Sequence, residues 1–122
     1  MQISEAESIV MQVLWTRSPL AAEDVHTALS GHQGWQEPTV KTLLNRLLNK
    51  GAIDAEREGR RYLYSPVLTR EDWLRSESEG LLDRLFGGRV APLVAHFTER
   101  GRLGKRDIAE LKKLVQELDD EP

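Results

Sequence analysis

Thr39, Lys41, Thr42, Asn45, Arg46 and Lys50 crowd into one short segment, and every one of them carries a hydroxyl, an amide or a positive charge. Arginine can present two parallel donors to guanine, asparagine can pair with adenine, threonine can offer a hydroxyl or a methyl, and lysine suits a phosphate. On a helix, at about 100° per residue, Thr39, Thr42, Asn45, Arg46 and Asn49 share one side, with Lys41 at its edge. Val40, Leu43, Leu44, Leu47 and Leu48 take the other side. The chemistry is therefore recognition by hydrogen bonds and charge, as expected of a helix that reads double-stranded DNA. Arg46 is the expected base reader, with Thr39 and Thr42 as base or phosphate contacts near the helix start.

A solvated helix face would show the same pattern. What favours the reading role is a second basic element, because Arg57, Arg60 and Arg61 flank Gly59 and would project from a tight turn toward the backbone or the minor groove. Lys50 has two expected uses, since a lysine in the last helical turn also complements the helix dipole. Tyr62 and Tyr64 are expected to pack with a polar edge, Trp35 to anchor the loop before the helix, and Trp15 and Trp73 to fill the core or the space between domains.

Other chemistries lack their residues. The chain has no cysteine, so it has no thiolate nucleophile and no cysteine-based metal site. His26, His32 and His96 show no two-histidine metal spacing, and no serine-hydrolase elbow, zinc-protease, P-loop or dinucleotide motif is present. No catalytic residue, metal or cofactor is expected. The formal net charge of -3 argues mildly against a nucleic-acid partner, but its distribution argues the other way. Among residues 1–37 only Arg17 is basic, against five acids, whereas residues 38–61 hold six basic residues against Asp54, Glu56 and Glu58. No run of 18 apolar residues and no secretory leader pattern occurs. A cytoplasmic location without membrane insertion is the expectation.

The elements that must position these residues follow from periodicity and caps. At 122 residues the chain supports one small domain and an appendage. Ser4 and Glu7 have capping-box spacing and open a helix expected to turn Ile9, Val10, Val13 and Leu14 inward. Ala22 to Leu29 reads as a short second helix. Pro38 suits the first turn of the third, which Asn49-Lys50-Gly51 ends. Residues 53–58 and 60–66 form a hairpin about Gly59. Thr69 and Asp72 begin a fourth helix, with Leu68 placed to staple against Trp73.

Beyond Thr69 the apolar residues are one-sided. Leu81, Leu82, Leu85 and Phe86 precede Gly87-Gly88, Leu93, Val94 and Phe97 follow Pro92, and Ile108, Leu111, Leu114, Val115 and Leu118 line a last helix. Such stripes give little core within one chain and would be completed by a second copy. The expected fold is mainly α with a small antiparallel β-hairpin, divided into residues 1–68 and 69–122.

The run from Thr39 to Gly51 resembles the recognition-helix signature of the penicillinase and methicillin-resistance repressors, a family that includes copper-responsive repressors. The likeness extends to Ile3-Ser4-Glu5-Ala6-Glu7, Val13-Leu14-Trp15, Gly59 to Pro66, Leu82 to Gly88, and Ala91-Pro92-Leu93-Val94. It implies an N-terminal winged helix-turn-helix and a C-terminal helical dimerisation region. It also implies a homodimer that silences promoters from palindromic operators, with Thr39, Thr42 and Arg46 at the family's Thr-x-x-Thr-x-x-x-Arg positions. In the antibiotic-responsive branch a membrane sensor and protease lead to cleavage of an Asn-Phe bond, and the corresponding place here is His96-Phe97. The cysteine motif of the copper branch is absent. The competing reading, from a different class, is a winged-helix adaptor whose basic surface meets acidic protein.

Overall fold

In the computed structural model, which describes residues 1–121, six helices and one hairpin follow in the expected order. They are α1 (Glu5–Thr16), α2 (Ala22–Leu29), α3 (Glu37–Lys50), β1 (Ile53–Glu58), β2 (Arg61–Pro66), α4 (Arg70–Phe86), α5 (Val90–Glu99) and α6 (Lys105–Asp119). The chain divides into two compact units, Met1–Arg75 and the segment from Ser76 onward.

The first unit is a three-helix layer covered by the hairpin. Ser4 caps α1 reciprocally, its hydroxyl accepting from the Glu7 amide at 3.1 Å while Glu7 Oε1 accepts from the Ser4 amide at 2.7 Å. The face of α1 turned to the core is Glu7, Val10, Met11 and Leu14, a spacing of three and four. This corrects the expected inward set, because Ile9 and Val13 lie on the flank of that stripe and are only half-buried. Leu20 of the α1–α2 connection, Val25 and Leu29 of α2, Val40, Leu43, Leu44 and Leu47 of α3, and Ala52, Ile53 and Tyr64 of the hairpin region complete the core.

The hairpin pairs antiparallel from Ile53 opposite Pro66 to Glu58 opposite Arg61. Gly59 turns it at φ 64°, a left-handed conformation that costs glycine least. A third backbone segment joins the sheet: Leu20 and Tyr64 exchange amide-to-carbonyl hydrogen bonds of 3.1 and 2.8 Å, which ties the α1–α2 connection to β2. Thr69 caps α4 by accepting from the Asp72 amide at 3.1 Å. Trp73 lies against the Trp15 ring, centroids 5.3 Å apart, and Trp15 Nε1 donates to the Leu68 carbonyl at 2.8 Å. The first unit thereby extends past Leu68 to Arg75.

The second unit contains no buried side chain among the described residues of α5 and α6. Leu82, Phe86, Leu93, Val94 and Leu111 are half-buried, whereas Leu81, Leu85, Phe97, Ile108, Leu114, Val115 and Leu118 are exposed. Leu118 is 67% exposed. A groove of about 550 Å³ between α5 and α6 is lined by Val94, Leu103, Ile108, Leu111 and Val115. Leu103 had no place in the sequence pattern, because it stands in the connection between the two helices.

Candidate nucleic-acid interface

Helix α3 starts at Glu37 after an extended Gln36, carries Pro38 in its first turn, and ends at Gly51 in the left-handed conformation (φ 77°). Burial of Val40, Leu43, Leu44 and Leu47 fixes its rotation about its own axis. Thr39, Lys41, Thr42, Asn45, Arg46 and Asn49 are consequently exposed.

The polar groups on this face differ in how free they are. Thr42 Oγ1 donates to the Pro38 carbonyl at 3.0 Å, which leaves its oxygen lone pairs able to accept. Lys41 Nζ lies 3.5 Å from Glu37 Oε1 one turn earlier. Arg46 has no acidic partner within salt-bridge distance among the described residues.

Lys50, one of the expected DNA-contacting residues, is paired within the fold. Its ammonium lies 2.6 Å from Oε1 of Glu7, so α3 is fastened to the start of α1 and the charge of Lys50 is already committed. Glu7 is 1% exposed. Burial pushes its carboxyl pKa up, but hydrogen bonds from Lys50 and from the Ser4 amide and hydroxyl, together with the Lys50 charge, outweigh burial. They hold Glu7 below the ordinary carboxylate value.

The hairpin supplies the second basic element. Arg57 Nε donates to the Gly59 carbonyl at 3.1 Å and braces the turn. Arg60 is exposed at the tip. Arg61 reaches back to Glu23 at the start of α2, with 3.5 Å between Nη1 and Oε1. Tyr64 is buried as expected of a packing residue, but Tyr62, two positions away on the same face of β2, is half exposed, because it lies nearer the hairpin tip and beyond the edge of the core.

The starts of α2 and α3 and the return strand β2 meet around a cleft of about 210 Å³. Its walls include Glu23, Glu37, Lys41, Arg60, Arg61 and Tyr62. Sequence reasoning found the basic members and missed the two acids, since glutamates in first helical turns read as dipole partners only. Trp35 is half-buried against the core and its carbonyl lies 2.9 Å from His26 Nε2, the anchoring place expected of it. His96 and Phe97 are exposed within α5, their rings 5.5 Å apart. No group of three potential metal ligands occurs among the described residues, and none of their helices is long and apolar enough to cross a membrane.

The geometry has counterparts. The family model described as penicillinase repressor matches residues 3–117. The penicillinase repressor of Bacillus licheniformis is 34% identical over 95% of this chain and 91% of its own length. The methicillin resistance regulatory protein MecI of Staphylococcus aureus is 26% identical over 93% of each chain. Among solved structures, the monomeric form of Bacillus licheniformis BlaI in complex with the blaP half-operator is 39% identical. That match has a TM-score of 0.52 and covers 59% of this chain and 88% of that one. The chain belongs to the penicillinase repressor family, a family of winged-helix transcriptional repressors and not of enzymes.

Proposed function

We propose that this family member is a sequence-specific repressor that binds a double-stranded DNA operator as a homodimer. The observation that carries the reading is the division of α3. Its leucine side is sealed in the core, and Thr39, Thr42, Asn45 and Arg46 stand exposed on the opposite side beside a basic hairpin tip. The half-operator bound to the related BlaI supports the same partner here.

In this reading Arg46 takes the bidentate base contact, Asn45, Thr39 and Thr42 take base edges or nearby phosphates, and Lys41, Arg57, Arg60 and Arg61 meet the backbone. Lys50 instead holds α3 in place through Glu7. The exposed stripe of α6 pairs two copies, which sets two α3 helices about 34–36 Å apart on a pseudo-palindrome. Acting in the cytoplasm, such a dimer would silence a promoter by occupying it. Any cut made in response to a membrane sensor and protease would fall at His96-Phe97.

Selection from a random pool of duplexes with the full chain, followed by footprinting, tests the reading. The expected product is an inverted repeat with half-site centres spaced by a multiple of about 10–10.5 base pairs. A pool that shows no enrichment, or single half-sites held by a monomer, overturns it.

A further inference from the structure

Glu23 and Glu37 stand where the proposed DNA contacts are, yet base reading has no use for them. Glu23 is in the first turn of α2 and Glu37 opens α3, so both carboxylates are held by positive helix ends. From those seats each takes one cation of the cleft, Glu23 taking Arg61 and Glu37 taking Lys41, both at 3.5 Å. Both pairs are solvent-exposed and therefore weak and screened by salt, so an arriving phosphate can compete for either cation. The guanidinium of Arg61 has donors to spare for a second acceptor, and the ammonium of Lys41 can rotate. The carboxylates, fixed to the helix starts, stay behind and face the phosphate with like charge. Arg60 lines the same cleft with no acidic partner among the described residues, so the restraint falls on Arg61 and Lys41.

We propose that Glu23 and Glu37 act in cis as competitors of the DNA backbone, occupying Arg61 and Lys41 in the free protein and lowering affinity for every duplex alike. The inference rests on the DNA-binding reading above. Its consequence is a protein whose backbone contacts alone hold DNA weakly, so that retention depends on the base contacts of α3.

The test uses full-length Glu23→Gln, Glu37→Gln and the double variant, each titrated by fluorescence anisotropy against a selected duplex and a scrambled duplex of equal length. Salt is varied from about 50 to 200 mM, the range over which phosphate contacts are strongly felt. Each single variant is expected to bind both duplexes about two- to fivefold more tightly, the size of an exposed ion pair. The dependence of log K on log salt should steepen by about 1 per cation released. Asp54→Asn, an exposed β1 change outside the cleft with the same change in net charge, is expected to have a smaller effect and to leave the slope alone. Unchanged affinity in the glutamine variants, or an equal gain from Asp54→Asn, overturns the competitor role while leaving DNA binding intact. A wild-type chain that binds neither duplex at any of these salt concentrations overturns both.

Discussion

The Lys50 ammonium in the last turn of α3 sits 2.6 Å from a Glu7 carboxylate that is sealed from solvent at the first turn of α1. One end of the DNA-facing helix is thus fixed by a charge pair across 43 positions of sequence. Removal of either partner has unequal consequences, because Lys50 can return to water and Glu7 cannot. Lys50→Met is expected to destabilise the first unit by about 1–3 kcal/mol, the cost of leaving one buried polar group unsatisfied and less than that of breaking a fully buried pair, because Lys50 is itself part-exposed. Glu7→Gln added to Lys50→Met should recover part of the loss. Urea denaturation of the three variants and the wild type closes the cycle, and additive losses would contradict the coupling.

The same pair sets a pH dependence. Glu7 is depressed in the folded state, so its stabilisation is complete above the ordinary carboxylate value and is lost as pH falls through the lower folded one. The wild type should lose urea resistance on acidification over that window more steeply than Glu7→Gln. Parallel curves would remove Glu7 as a source of acid sensitivity.

Arg46 and Arg60 separate two kinds of contact. Arg46→Ala should cost about 1–3 kcal/mol on a selected duplex and much less on a scrambled one. Arg60→Ala should weaken both equally and reduce the salt slope by about 1. Titrations at several salt concentrations distinguish them, and a uniform loss from Arg46→Ala would take it out of base reading.

The turn at Gly59 gives a backbone prediction. With φ at 64°, Gly59→Ala is expected to cost about 1–2 kcal/mol in the hairpin, whereas Gly59→Asn should cost less, since asparagine tolerates that conformation. A Cβ at this position meets nothing within 4 Å, so a loss seen in thermal melts is conformational and not a clash.

Val115→Asp and Leu118→Glu test the pairing of two copies through α6. Both residues are more than half exposed in the single chain, so neither change should disturb its fold. Sedimentation equilibrium is expected to show a shift toward monomer together with weaker operator binding, and an unaltered mass would place the contact elsewhere.

Much of this was legible in the residues. The Val40-Leu43-Leu44-Leu47 stripe set the rotation of α3 and therefore its exposed face, and Ser4, Gly51, Gly59 and Thr69 marked boundaries through their caps and turns. What could not be read depends on pairings distant in sequence. Glu7 read only as the capping-box partner of Ser4, and nothing local announces the Lys50 that the fold brings beside it. The single exchange between Leu20 and Tyr64 has no periodicity to announce it. Ile9 and Val13 are apolar at helical spacing, yet the core is narrow enough to seal only the neighbouring stripe.

That lone Leu20–Tyr64 exchange also limits how the arm beside α3 can adapt. With Tyr64 stitched to the linker ahead of α2 and its ring in the core, bending should be confined to the outer rungs, between Arg57–Tyr62 and the Gly59 tip. Arg60 and Arg61 can then follow a curved or irregular phosphate path while Tyr64 and the base of the arm keep their distance from the reading helix.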